Sequence, residues 1–229
     1  MATREEILGS IKAALKNGNS DLPRPEAPQV WPIENLSREQ LFEKFSASLT
    51  AVAGQARLCA NRDEAAKLIA EELAAIETSE SESLTVGVKP GFPLTQEVSA
   101  AESGKLTLVS PPEDPNTDPK VIEKFAASLI GAEFLLADTG SAAIRSHSSF
   151  ERLLCYLPPV CLVAAPKSAL REHLPAAWGE MNGSLSNDSR PTGEFLLMTG
   201  PSRTADIEKI LILGVHGPKK VVVFVIDNE

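Results

Sequence analysis

Two short apolar runs near the end of the chain, Phe195 to Met198 and Val221 to Ile226, limit the possible folds more than any other feature. Each is too short and too uniformly apolar for a surface helix, and each reads as a buried strand. Thr199-Gly200-Pro201 closes the first run with a turn signal. Between the runs, Ser202 or Thr204 is placed to cap a helix. Asp206 and Glu208 fall in its first turn, and Ile207, Ile210 and Leu211 share one face. Gly214 and Gly217-Pro218 stop it. The spacing predicts a strand–helix–strand unit with a right-handed parallel crossover.

The remaining pattern extends this reading. Thr3 and Glu6 form a capping box ahead of Ile7, Leu8, Ile11 and Leu15 at helical spacing. Asn17-Gly18 ends that helix, and a proline-rich, apolar-poor stretch to residue 36 reads as an extended linker. Residues 1–36 are therefore expected to form a helical arm and its linker, and residues 37–229 an α/β domain. Ser37 and Gln40 make a second capping box, opening a helix through Leu41, Phe42, Phe45, Leu49 and Val52.

From there strands are predicted at Ala56–Ala60, Leu84–Val88, Leu106–Val109, Glu133–Ala137, Ala142–Arg145 and Val160–Ala164. Helices are predicted at Asp63–Ile76, Pro119–Leu129, Phe150–Leu157 and Ser168–Trp178, the last interrupted by Pro175. Pro111, Pro112 and Pro115 mark a loop, and residues 179–192, rich in Asn, Ser and Gly, read as another. Short apolar strands separated by helices imply a mostly parallel sheet flanked by helices on both faces.

Net charge of -9, with no Lys/Arg block, argues against general nucleic-acid binding. No apolar run approaches the ~18 residues of a membrane span, and the N-terminus lacks a signal-peptide core, so a cytoplasmic location is expected. The widely spaced Cys59, Cys155 and Cys161 fit a reducing compartment. No zinc spacing, iron–sulfur run, dinucleotide fingerprint or phosphate-binding P-loop occurs, and no cofactor is expected.

Three loops follow predicted strand ends, where open α/β sheets place their ligands. They are Val88–Phe92, Ala137–Ser141 and Thr199–Asp206. In the third, Arg203 beside a helix N-terminus suits a small anion, with Gly200, Ser202, Thr204 and Asp206 around it; the same residues also serve as plain helix caps. Asp138, Thr139, Gly140 and Ser141 supply a carboxylate and two hydroxyls at a tight turn, or simply the turn of a hairpin. His216, between glycines, suits acid–base work or ligand binding as well as a helix C-cap. At 1.5 Å per residue the predicted helix holds Arg203 and His216 ~20 Å apart, beyond one small ligand.

Leu136 to Gly140, Leu157 to Val160, Gly200 to Glu208 and Leu213 to Pro218 together resemble the lactate utilization protein C family, whose core is the LUD domain. The resemblance covers roughly residues 37 to 226. It implies a fold like the glucosamine-phosphate isomerase, ribose-phosphate isomerase and CoA-transferase group. It also implies a bacterial role as an accessory subunit in oxidising L-lactate to pyruvate with iron–sulfur partner proteins. Asp138, Thr139, Gly140, Gly200, Pro201, Ser202, Arg203, Thr204, Asp206, Gly214, His216 and Gly217 match the family motifs. Cys161 departs from relatives that often carry a histidine there. Fold analogy alone leaves a second reading open, a stand-alone enzyme or binding protein for a phosphorylated or CoA-linked metabolite.

Overall fold

The computed structural model describes residues 3–16, 31–76, 83–101, 106–110, 118–186, 194–205, 211–214 and 216–227. Two compact units divide at Pro32/Ile33. In the first, α1 (Arg4–Lys16) carries the expected stripe, with Ile7, Leu8, Ile11 and Leu15 exposed. Asp206, the Pro111–Pro115 loop and most of the linker lie outside the described residues.

In the second unit, α2 (Arg38–Ala51) starts at the capping box: Ser37 Oγ accepts from Gln40 N, and Ser37 N donates to the Gln40 side chain. Then follow β1 (Gln55–Cys59), α3 (Arg62–Ala74), β2 (Leu84–Val88), α4 (Thr95–Ala101), β3 (Leu106–Val109), α5 (Pro119–Ile122), β4 (Ala127–Gly131), β5 (Phe134–Leu136), β6 (Ser141–Ser146), α6 (Ser149–Leu154) and β7 (Val160–Pro166). A 3₁₀ turn (Lys167–Ala169), β8 (Leu170–Arg171), α7 (Leu174–Ser186), β9 (Glu194–Met198), β10 (Arg203–Ala205), β11 (Leu211–Leu213) and β12 (Lys220–Ile226) complete the chain.

Six strands in the order β1-β12-β7-β4-β2-β3 pair in parallel throughout. Both faces are buried, as helices on either side of a parallel sheet require. Val221, Val223 and Val225 of β12, with Cys161, Val163 and Ala165 of β7, face α2 and α6. Val222, Phe224, Ile226, Leu162 and Ala164 face α3 and α4. This is why β12 reads as an unbroken apolar run.

A smaller sheet, β8-β5-β6-β9, lies over the α2 side. Leu135, Ala142 and Ile144 join the core beneath it, while Phe134, Leu136 and Ala143 pack on Ala177 and Met181 of α7. The period-2 alternation of a strand sorts these residues between the two layers. No helix among the described residues is long and apolar enough to cross a membrane.

Four expectations give way. Where a helix is expected between Ser202 and Leu213, the described residues form two strands, Arg203, Thr204 and Ala205 pairing antiparallel with Leu213, Ile212 and Leu211. A short apolar run does not distinguish the two periods, and β-branched Thr204 and Ile212 favour the extended form. Helix Pro119–Leu129 stops at Ile122, and β4 begins at Ala127. Its Ala and Leu are good helix formers, overridden by pairing with β2 on one side and β7 on the other. The break attributed to Pro175 falls earlier. Residues 167–171 form the 3₁₀ turn and β8, and Pro175 sits in the first turn of α7, which continues to Ser186 through part of the expected loop. Finally, β9 is an edge strand of the small sheet with Leu197 exposed, so its apolar run marks one half-buried face.

Candidate functional site

The loops singled out by sequence separate to opposite edges of the parallel sheet. Ala137–Gly140 turns β5 into antiparallel β6, and Gly140 sits at φ 66°. A Cβ there would stand 2.6 Å from Leu49 Cα of α2, and closer still to Leu49 N. Ser48 Oγ donates to the Ala137 and Asp138 carbonyls at 3.0 and 3.2 Å. Gly200, at φ 72°, is pressed on Val52 just beyond the same helix end. Both loops therefore crown the last turn of α2, where the chain enters β1 at the amino edge of the parallel sheet.

Hydroxyls join the two loops. Thr139 Oγ1 donates to Asp138 at 3.3 Å, Ser141 Oγ donates to Thr139 Oγ1 at 2.8 Å, and the Ser141 and Thr199 hydroxyls lie 2.6 Å apart. Ser202 N donates to Pro218 O, and Gly214 N to Ser202 O, each at 2.9 Å. These bonds bring His216 and Gly217 beside Ser202, so the ~20 Å separation of a helix does not exist. Ser202, His216, Gly200 and Tyr156 line a groove of about 250 Å³ floored by Cys155 and Met198. Arg203 is exposed on β10, and Thr204 is its neighbour on that strand. Ser202 leads into β10, so among the described residues the helix N-terminus expected beside Arg203 is a strand instead.

The first loop, Val88–Phe92, leads to a different place. At the carboxyl edge of the sheet, past the ends of β2, β4 and β7, a cleft of about 350 Å³ is walled by Lys89, Gly91, Glu133, Arg145, His147 and Glu151. This is the edge where open α/β sheets bind their ligands. Lys89 and Arg145 are buried, which demands compensation of their charge. Lys89 Nζ lies 3.3 Å from Glu151 Oε2 and 3.4 Å from Pro90 O. Arg145 donates through Nε and Nη2 to the two Glu133 oxygens at 2.5 and 2.8 Å, a bidentate pair. Its guanidinium lies 5.2 Å from the Phe195 ring centroid.

Glu151 is held from both ends. Its N–H donates to Ser148 Oγ, the N-cap of α6, and its Oε2 accepts from His147 N at 3.1 Å. Gly131 permits the tight approach of this loop, since a Cβ there would meet Pro93 and the Gly91 carbonyl at 3.3 and 3.4 Å. Among the described residues no cluster of His, Cys, Asp or Glu is placed to hold a metal ion.

Sequence reasoning marked the Lys89 loop but none of these side chains. Arg145 carried a signal, a charge closing the otherwise apolar strand expected at Ala142–Arg145. Glu133 and Glu151 carried none, because their importance comes from pairing across elements.

The sequence pattern of the LUD domain matches residues 42–226. The chain belongs to the LUD domain family. Lactate utilization protein C of Bacillus pumilus (strain SAFR-032) is 32% identical over 110 residues, covering 48% of this chain and 46% of that protein. The Bacillus subtilis (strain 168) protein of the same name is 28% identical over 110 residues, with the same two coverages of 48% and 46%. The chain spans about half the length of the curated relatives it matches. The crystal structure of a DUF162 family protein from Deinococcus radiodurans superimposes with a TM-score of 0.54 at 17% identity, covering 83% of this LUD chain and 99% of that one. That likeness shows a shared fold.

Proposed function

We propose that this LUD protein serves bacterial oxidation of L-lactate to pyruvate as an accessory subunit, and that its carboxyl-edge cleft binds a small carboxylate. The relatives named lactate utilization protein C support the process. The observation that carries the binding role is the pair of buried cations, Lys89 and Arg145, at the edge where parallel sheets place ligands. Removing two electrons and two protons from a 2-hydroxy acid needs an electron acceptor beyond ordinary side chains, and iron–sulfur partner proteins would supply one.

Thermal melting with added L-lactate, pyruvate, inorganic phosphate, sugar phosphates and CoA esters tests the reading. A ligand at about 100 times its Kd adds about 2.7 kcal/mol of stability, enough to raise Tm by several degrees. Lactate or pyruvate should produce that rise in the wild type and not in Arg145→Ala. A rise with CoA esters or sugar phosphates alone favours a phosphorylated or CoA-linked metabolite. A rise that survives Arg145→Ala moves the ligand out of this cleft.

A further inference from the structure

We infer that Glu133 is a resident competitor for the ligand, occupying Arg145 in the empty protein and yielding it to the ligand's carboxylate. The inference rests on the reading of the cleft as a carboxylate site and names how that site is kept and filled.

The two ion pairs of the cleft are built unequally. Arg145 is fixed: β6 is paired with β5 on one side and β9 on the other, and the guanidinium lies over Phe195. Its side chain is only 9% exposed, whereas that of Glu133 is 37% exposed. Glu133 follows β4 at the rim, with its backbone N–H tied to Ala143 O. Glu151, by contrast, is buried and held by its N-cap and by His147 N. A buried guanidinium calls for compensating charge, and Glu133 supplies two carboxylate oxygens to it. A half-exposed carboxylate returns to water at little cost. An incoming carboxylate offers the same two oxygens to the same two N–H groups.

Lys89 completes the site. An ammonium has three donors, and its two contacts here are long, at 3.3 and 3.4 Å. It walls the same cleft as Arg145, so its ammonium can serve a polar group of the ligand as well.

Isothermal titration of the full chain with L-lactate and with pyruvate tests this. Glu133→Gln removes the competing charge, and Glu133→Asp keeps the charge but draws the carboxylate back by about 1.5 Å, one C–C bond. Displacement predicts that both variants bind roughly 10-fold tighter than wild type, which is about 1.4 kcal/mol. If only Glu133→Gln tightens, the effect is net charge and the inference falls. If either variant weakens binding while Arg145→Ala abolishes it, Glu133 belongs to the site, and only the competitor role is lost. If neither acid binds any of these proteins, the carboxylate cleft itself falls. A crystal structure of wild type with pyruvate gives an independent check. Glu133 turned out to solvent supports displacement, and Glu133 still bidentate on Arg145 overturns it.

Discussion

Replacing Gly140 with alanine asks whether the Asp138–Ser141 turn is built for packing. At φ 66° a non-glycine residue is strained by about 1–2 kcal/mol. The new Cβ would stand 2.6 Å from Leu49 Cα and 2.8 Å from Ser48 C, and would overlap Leu49 N. These are backbone atoms of α2 and cannot swing aside as a side-chain tip can, so relief requires moving the helix end, at about 1–3 kcal/mol. That shift also strains the Ser48 bonds to Ala137 and Asp138, worth about 1 kcal/mol. The total is about 3–6 kcal/mol, or ~10 °C or more in Tm for a unit of this size. Gly91→Ala is the control. Its φ is 75° but nothing lies within 4 Å of the added methyl, so only the strain of about 1–2 kcal/mol remains. Urea unfolding of both variants, with m-values compared, measures the difference. Equal and mild losses would refute the packing account.

Other perturbations test other parts of the fold. Lys167 holds the Glu39 carboxyl down to about 2 from an ordinary 4.5, first through its hydrogen bond and then with help from the local backbone. A depressed carboxyl stabilises fully above its unfolded pKa and loses that contribution as pH falls toward the folded value. Lys167→Met should therefore flatten the fall in stability between about pH 4.5 and 2 in urea melts, and an unchanged acid limb would count against the pair. Deleting residues 1–32 should leave cooperative melting, because Glu34 N and Leu36 N remain to bind the buried Glu172 carboxylate at 2.6 and 3.1 Å. Extending the deletion through residue 36 should cost a further ~1–3 kcal/mol, and non-cooperative melting of the shorter deletion would disprove the division. Burial pushes the Cys59 thiol up to about 11 and Cys161 up to about 12, and raises Cys155 as well. At pH 8 all three should react with Ellman's reagent only as the protein unfolds, and a fast native phase would contradict that burial.

The parallel sheet was legible in the sequence because strands buried on both faces are continuous apolar runs. Leu84–Val88 is bounded correctly for that reason, while Leu106–Val109, a half-buried edge strand, is marked by its apolar residues alone. The capping box at Ser37 worked because its two bonds are local. Failures came where tertiary pairing decided. Ala127 to Gly131 is a strand only because β2 and β7 flank it, and Leu211 to Leu213 is a strand only because Arg203 to Ala205 lies opposite. The cleft was hidden for the same reason. Lys89 follows β2 and Glu151 follows β6, 62 positions on, and only the packing of the two sheets brings their loops together.

The Asp138–Gly140 turn, one of the motifs that mark the family, and Arg145 of the cleft occupy opposite ends of one strand. Ser141, at the start of β6, ties the Asp138–Gly140 turn to Thr199. Arg145, four residues on and ~13 Å away, points its charge at Glu133. At the Ser141 end, the contacts are a glycine against Leu49, a glycine against Val52 and a chain of hydroxyls. Each fixes where β6 and β9 sit over α2. At the Arg145 end, a charge is buried inside an apolar layer, which a fold does not need for its own sake. A motif that positions a strand and a charge that the strand delivers are separable by mutation. Substitutions at Gly140 or Gly200 should act through stability, whereas Arg145→Lys, which gives up the bidentate fork but keeps the charge, should act on ligand affinity with far less effect on Tm. An Arg145→Lys variant that binds lactate as the wild type does would show that the fork is structural, and would return the search for a ligand to the Ser202–His216 groove.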